Sequence, residues 1–142
     1  MAITAGDIAK LRAQTGAGMM DCKKAMDEAL GDMEKAGEIL RKKGIVKAAK
    51  RADKIAAEGA TLVKTSGNIA VVLEVNSETD FVAKNENFKK MVEEIADQIL
   101  SAKPASTEEL LKQNMNGKTV EEQITGLSGT IGEKITLRRF AL

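Results

Sequence analysis

Ile69-Ala70-Val71-Val72-Leu73-Glu74-Val75-Asn76 is a β-branched run in which Ile69, Val71, Leu73 and Val75 fall on one face of an extended chain. Val72 lies on the other face, which allows cover on both sides. Upstream, Ala60 to Thr65 is a second such run, and Ser66-Gly67-Asn68 between the two is a hairpin signal. Downstream the period changes. Phe88, Val92, Ile95 and Ile99 recur at the spacing of one helix face, until Pro104 forbids continuation. Thr107 is placed to cap another short helix. Thr119 and Glu122 have the spacing of a capping box ahead of Val120, Ile124, Leu127 and Ile131, and Lys134 to Phe140 alternates as a strand. Hairpin, helices and returning strand predict an α+β layer over residues 59–142, with helices on one face of a small antiparallel sheet.

The chain before this layer has a helical period. Thr4 precedes Asp7 by three positions, an acidic variant of the capping box, and Ile8 and Leu11 follow at helical spacing. A stop is expected near Thr15-Gly16-Ala17-Gly18. A second helix carries Met19, Cys22, Met26, Ala29 and Leu30 on one face and ends at Gly31. Asp32 is a natural N-cap for a third, which buries Ala36, Ile39 and Leu40. Gly37 inside it costs ~1 kcal/mol against Ala. Arg41, Lys42 and Lys43 suit its C-terminal dipole, and Gly44 is expected to close it. Three short amphipathic helices predict a small bundle over residues 1–44. Lys47 to Glu58 is rich in alanine and charge and reads as an exposed connecting helix, so residues 45–58 are assigned as the connector.

With 142 residues the chain suits one ordinary domain or two small ones, and 43% apolar with 30% charged residues is a globular balance. The 22 basic and 21 acidic residues leave a net charge of +1, without the basic excess of a protein that holds nucleic acid by neutralising phosphates. Histidine is absent, which removes Ser–His–Asp and Cys–His catalysis and His-based zinc sites. A single cysteine, Cys22, suits a reducing compartment. No apolar run approaches the ~20 residues that cross a bilayer, and Met1-Ala2-Ile3-Thr4 lacks the layout of a secretory signal. These features predict a cytoplasmic protein with no cofactor, no membrane contact and no catalytic residues of its own.

Several candidate sites have plainer readings. Asn116-Gly117-Lys118-Thr119 resembles the end of a phosphate-binding loop, but Lys112 stands where a glycine is needed and no buried strand precedes it, so an ordinary capped turn is expected. Lys47, Lys50, Arg51 and Lys54 are interrupted by Asp53 and lack aromatic neighbours for base stacking, as a solvated helix would. Cys22 turns toward the apolar face, where a thiol is buried and unreactive. Met20 points away from that face, and two readings stay open: a loop residue folded back on the bundle, or an exposed thioether that meets a partner. At Glu78-Thr79-Asp80-Phe81-Val82-Ala83, spacing alone favours a helix cap at Thr79 or Asp80 with Phe81 tucked into the core.

Two stretches carry a family resemblance. Leu11-Arg12-Ala13-Gln14-Thr15-Gly16-Ala17-Gly18-Met19-Met20-Asp21-Cys22-Lys23-Lys24-Ala25 resembles the N-terminal signature of the bacterial elongation factor Ts family. Leu73-Glu74-Val75-Asn76-Ser77-Glu78-Thr79-Asp80-Phe81-Val82-Ala83 resembles its second signature, and Ile131-Gly132-Glu133-Lys134-Ile135 and Arg138-Arg139-Phe140 follow in the same order. The resemblance implies a bundle like ubiquitin-associated domains followed by an α+β core. Family members with longer chains have a second core half with a coiled coil, or a longer core that dimerises. This chain, ending at Leu142, corresponds to the N-terminal domain and first core subdomain, either as a short form or as a fragment.

The resemblance also implies the function: a guanine nucleotide exchange factor that binds elongation factor Tu, both GDP-bound and nucleotide-free, dislodges magnesium and promotes GDP release. It implies that Asp80 and Phe81 form the tip that enters the GTPase, that Thr79 and Val82 hold the tip, and that Arg12, Met19 and Met20 contact a helix of the same domain. The alternative is a ubiquitin-associated-like interaction module without exchange activity.

Overall fold

The computed structural model describes residues 2–142. Helix α1 (Ala5–Thr15) begins at a complete capping box: the Asp7 N–H donates to Thr4 Oγ1 at 3.1 Å and the Thr4 N–H to Asp7 Oδ2 at 2.9 Å. Helix α2 (Met19–Glu28) starts after Gly18. Helix α3 (Met33–Lys50) starts at Asp32, whose side chain accepts from the Lys35 N–H at 3.0 Å. Leu11, Cys22, Ala25, Met26, Ala29 and Ala36 form the core of these three helices, with Ile39 and Leu40 half-buried at its edge. Leu30 lies outside that core: α2 stops at Glu28, and Leu30 takes a left-handed turn conformation that carries its side chain into solvent.

Gly44 does not close the third helix. Helix α3 continues for six more residues, to Lys50, so the expected break between bundle and connector is absent. The reason is tertiary. Gly44 packs against Gly129, which lets two helix backbones meet, and that packing outweighs the ~1 kcal/mol by which glycine disfavours a helix interior. Residues 51–57 then turn into the sheet.

Strands β1 (Glu58–Ser66) and β2 (Ile69–Ser77) form the expected hairpin, with Ser66 paired to Ile69 and Gly67-Asn68 as a two-residue turn. Gly67 has φ +61°, the left-handed first position that such a turn requires. Strand β5 (Thr136–Ala141) pairs antiparallel on the other edge of β2, giving the order β1-β2-β5. A bulge lies between them: Glu74 faces Arg139 and Val75 faces Leu137, which leaves Arg138 unpaired and turns Leu137 into the core.

Helices lie on one face of the sheet. Single-turn α4 (Asp80–Ala83) is followed by α5 (Glu86–Ala102), α6 (Thr107–Lys112) and α7 (Val120–Ile131). Val71, Leu73 and Val75 pack with Phe88, Val92, Ile95 and Ile99 of α5, Leu110 of α6, and Val120 and Ile124 of α7. Cover on both sides is not realised: Val72 is 49% exposed and its cross-strand neighbour Val63 is exposed beside it. Two local readings also change. Ser106 rather than Thr107 caps α6, its side chain accepting from the Glu109 N–H at 3.1 Å. Asn116-Gly117 joins two short paired strands, β3 (Asn114–Met115) and β4 (Lys118–Thr119), and both turn residues have positive φ, the signature of a type I′ hairpin.

Candidate functional site

Strand β2 ends at Ser77 and the chain turns at once into α4, because three side chains fix the corner. The buried Ser77 hydroxyl donates to the Thr79 carbonyl at 2.8 Å. Thr79 is the N-cap, accepting from the Val82 N–H at 3.5 Å. Val82 is 8% exposed and anchors the turn in the core of the layer. Successive helical residues differ by about 100° in direction, so burial of Val82 turns Phe81 outward. Phe81 is 83% exposed. The reading that tucks Phe81 into the core therefore fails at this residue, while the cap at Thr79 holds. Asp80 is also exposed and meets only Lys84, at 3.5 Å.

The corner is held from outside as well. Glu133, in the loop after α7, accepts from the Thr79 N–H at 3.0 Å and from the Thr79 hydroxyl at 2.7 Å. Glu78 accepts from Arg51 Nη2 at 2.7 and 2.8 Å and from the Lys134 N–H at 3.0 Å, and Lys134 Nζ donates to the Ala52 carbonyl at 2.8 Å. The Glu78 side chain is only 10% exposed. Burial pushes its carboxyl up, but hydrogen bonds from Arg51 and the Lys134 N–H, with the Arg51 charge, outweigh burial and hold it below the usual carboxylate range. None of these partners follows from local sequence spacing; the one available signal was the Gly132-Glu133-Lys134 segment within the family resemblance.

Arg12, Met19 and Met20 occupy the corner between α1 and α2, on different elements from the Thr79–Val82 turn. Arg12 is exposed near the end of α1. Met20 is 62% exposed and is not folded back on the bundle; Met19 is 46% exposed, although it shares the direction of buried Cys22. Helix α3 packs against α1 and α2 on one side and against α7 on the other, so it connects this corner to the helix whose following loop holds Thr79. An open groove of about 760 Å³ separates bundle from core. Arg12, Asp21, Arg41 and Lys47 line it from the bundle, and Lys90, Glu94, Lys118 and Glu122 line it from the core.

Cys22 is fully buried, its thiol 3.7 Å from the Ala17 carbonyl. Among the described residues, no group of three His, Cys, Asp or Glu side chains is arranged to hold a metal ion. No described helix is long and apolar enough to cross a membrane. Residues 78–142, which run from Glu78 through the tip, Glu133 and β5, match the family model for Elongation factor TS. The part of the chain that builds the turn, the covering helices and the returning strand is thus similar to elongation factor Ts, a translation elongation factor.

Proposed function

We propose that this protein is a cytoplasmic guanine nucleotide exchange factor that binds elongation factor Tu in its GDP-bound and nucleotide-free states and promotes GDP release. The observation that carries the reading is Phe81: a large aromatic ring 83% exposed on a turn whose neighbours are fastened on both sides. Such a ring offers area and stiffness, and a fastened backbone beneath it lowers the conformational freedom spent at the moment of contact. In this reading Asp80 and Phe81 enter between helices of the GTPase nucleotide domain, while Thr79 and Val82 hold the tip. Magnesium belongs to the partner, where it bridges GDP phosphates to the GTPase. Displacing it removes the largest local positive charge that holds them. Arg12, Met19 and Met20 supply a second contact from the bundle: adaptable apolar area beside a guanidinium. Bundle and core thus act as two contact units. No step needs a nucleophile, acid or base from this chain, a cofactor, a membrane or direct contact with nucleic acid.

Substoichiometric amounts of this protein should accelerate GDP release from elongation factor Tu. Binding without acceleration would support a passive interaction module instead. Linkage adds a second requirement: a factor that weakens GDP binding must itself be weakened by GDP in the same ratio. Titrating the complex with GDP should therefore dissociate it, and equal affinity for GDP-bound and nucleotide-free partner would contradict exchange.

A further inference from the structure

Phe81 is 83% exposed, so its direction is set mainly by the backbone of the turn below it. That turn is a four-residue helix, too short to be stable by its own hydrogen bonds. Its bonds onto Thr79 are long, Ala83 N–H to Thr79 carbonyl at 3.4 Å and Val82 N–H to Thr79 Oγ1 at 3.5 Å, whereas at its other end Lys84 N–H reaches the Asp80 carbonyl at 3.1 Å. The short bonds at Thr79 come from Ser77, whose hydroxyl donates to the Thr79 carbonyl at 2.8 Å, and from Glu133. Glu133 takes both donors of Thr79, at 2.7 and 3.0 Å, across 54 residues of sequence. Its own backbone is fixed in turn, because the buried Ser128 hydroxyl donates to the Glu133 carbonyl at 2.6 Å.

From this geometry we infer that Glu133 is a positioning residue for Phe81, setting the direction of the ring through Thr79 without touching the partner. The inference rests on the exchange function proposed above. Hydrogen bonds to an ionised carboxylate are short and about twice as strong as neutral ones. Without them the turn keeps its Val82 anchor and the Ser77 bond to the Thr79 carbonyl but loses the partner of both Thr79 donors. The ring then samples more directions, and the entropy of aligning it is added to each exchange event.

The test measures release of fluorescent GDP from elongation factor Tu across a range of full-length factor, separating the saturating rate from the half-saturating concentration. Glu133→Ala should lower the saturating rate at least about tenfold and leave the half-saturating concentration nearly unchanged, because the bundle contact is untouched. Glu133→Gln keeps an oxygen for the Thr79 N–H and an amide for the hydroxyl, so it should restore the rate to within about threefold. Thr79→Val, which removes the hydroxyl's bond to Glu133 and its long 3.5 Å cap of the Val82 N–H but keeps the backbone N–H bond to Glu133, should also lower the saturating rate and serves if Glu133→Ala folds poorly. The double variant Glu133→Ala/Phe81→Ala should be no slower than Phe81→Ala alone, as two steps in one path require. Wild-type exchange by a folded Glu133→Ala, or a double variant slowed by the product of the single effects, would overturn the inference. Should Phe81→Ala itself exchange at the wild-type rate, the wedge reading fails, which is a separate result from a fast Glu133→Ala beside a slow Phe81→Ala.

Discussion

Gly44 in α3 and Gly129 in α7 meet backbone to backbone, with no side chain between them. A Cβ on Gly129 would overlap the carbonyl and Cα of Gly44, whereas one on Gly44 would lie 3.8 Å from the Gly129 Cα, an ordinary contact. The two positions should therefore respond oppositely to alanine. Both gain helix propensity, by ~1 kcal/mol at most. Gly129→Ala must also force the helices apart, and overpacking of this kind costs ~1–3 kcal/mol. Denaturant midpoints should fall for Gly129→Ala and hold or rise for Gly44→Ala. Equal midpoints would mean the helices slide freely past one another.

The two phenylalanines on either side of the α4–α5 junction offer a matched comparison. Phe88 is fully buried and Phe81 is 83% exposed. Phe88→Ala should cost ~3–5 kcal/mol of stability. Phe81→Ala should stay within ~0.5 kcal/mol of wild type, as surface changes do, while catalysed GDP release slows strongly. A Phe81→Ala variant that melts several degrees lower would return Phe81 to the core.

Elements set by their own periodicity were readable from sequence. The alternation at Val71, Leu73 and Val75 and the helical recurrence from Phe88 to Ile99 each name a face, and those faces are the buried ones. Capping boxes at Thr4–Asp7 and Thr119–Glu122 are local chemistry and were equally visible. What escaped depends on distant partners. Gly44 reads as a stop because glycine is a poor helix former, and only Gly129, 85 positions later, makes it a packing residue. Phe81 reads as core because aromatic residues usually are; its exposure follows from Val82 and Thr79 being held, one by the core and one by Glu133. The bulge at Arg138 breaks strict alternation in β5, which no pattern in that strand announces.

Acid should weaken the corner that Glu78 holds. Glu78 sits below the ordinary carboxylate range because of Arg51 and the Lys134 N–H. A carboxyl depressed in the folded state stabilises that state fully above its unfolded value, near 4.3, and the contribution is lost as pH falls through the lower folded value. Melting temperatures between about pH 6 and about pH 3 should therefore drop less steeply for Glu78→Gln than for wild type. Parallel curves would show that Glu78 titrates alike in both states.

At the α1–α2 corner the three exposed side chains should separate stability from binding. Met20 is 62% exposed and Arg12 is exposed near the end of α1, so neither contributes appreciably to the bundle core of Leu11, Cys22 and Met26. Met20→Ala and Arg12→Ala should leave the unfolding midpoint within ~0.5 kcal/mol of wild type. Both should raise the factor concentration needed for half-maximal exchange without lowering the saturating rate, the pattern of lost binding rather than lost alignment. Met19, at 46% exposed and in line with Cys22, stands between the two behaviours. Its stem covers part of the bundle while its thioether reaches solvent, so Met19→Ala should lower the midpoint modestly and weaken association as well. Isothermal titration against nucleotide-free elongation factor Tu, run beside denaturant melts, resolves the three variants. If Met20→Ala melts lower with affinity intact, the bundle contact does not lie at this corner, and the open groove beside Arg12 becomes the next surface to mutate.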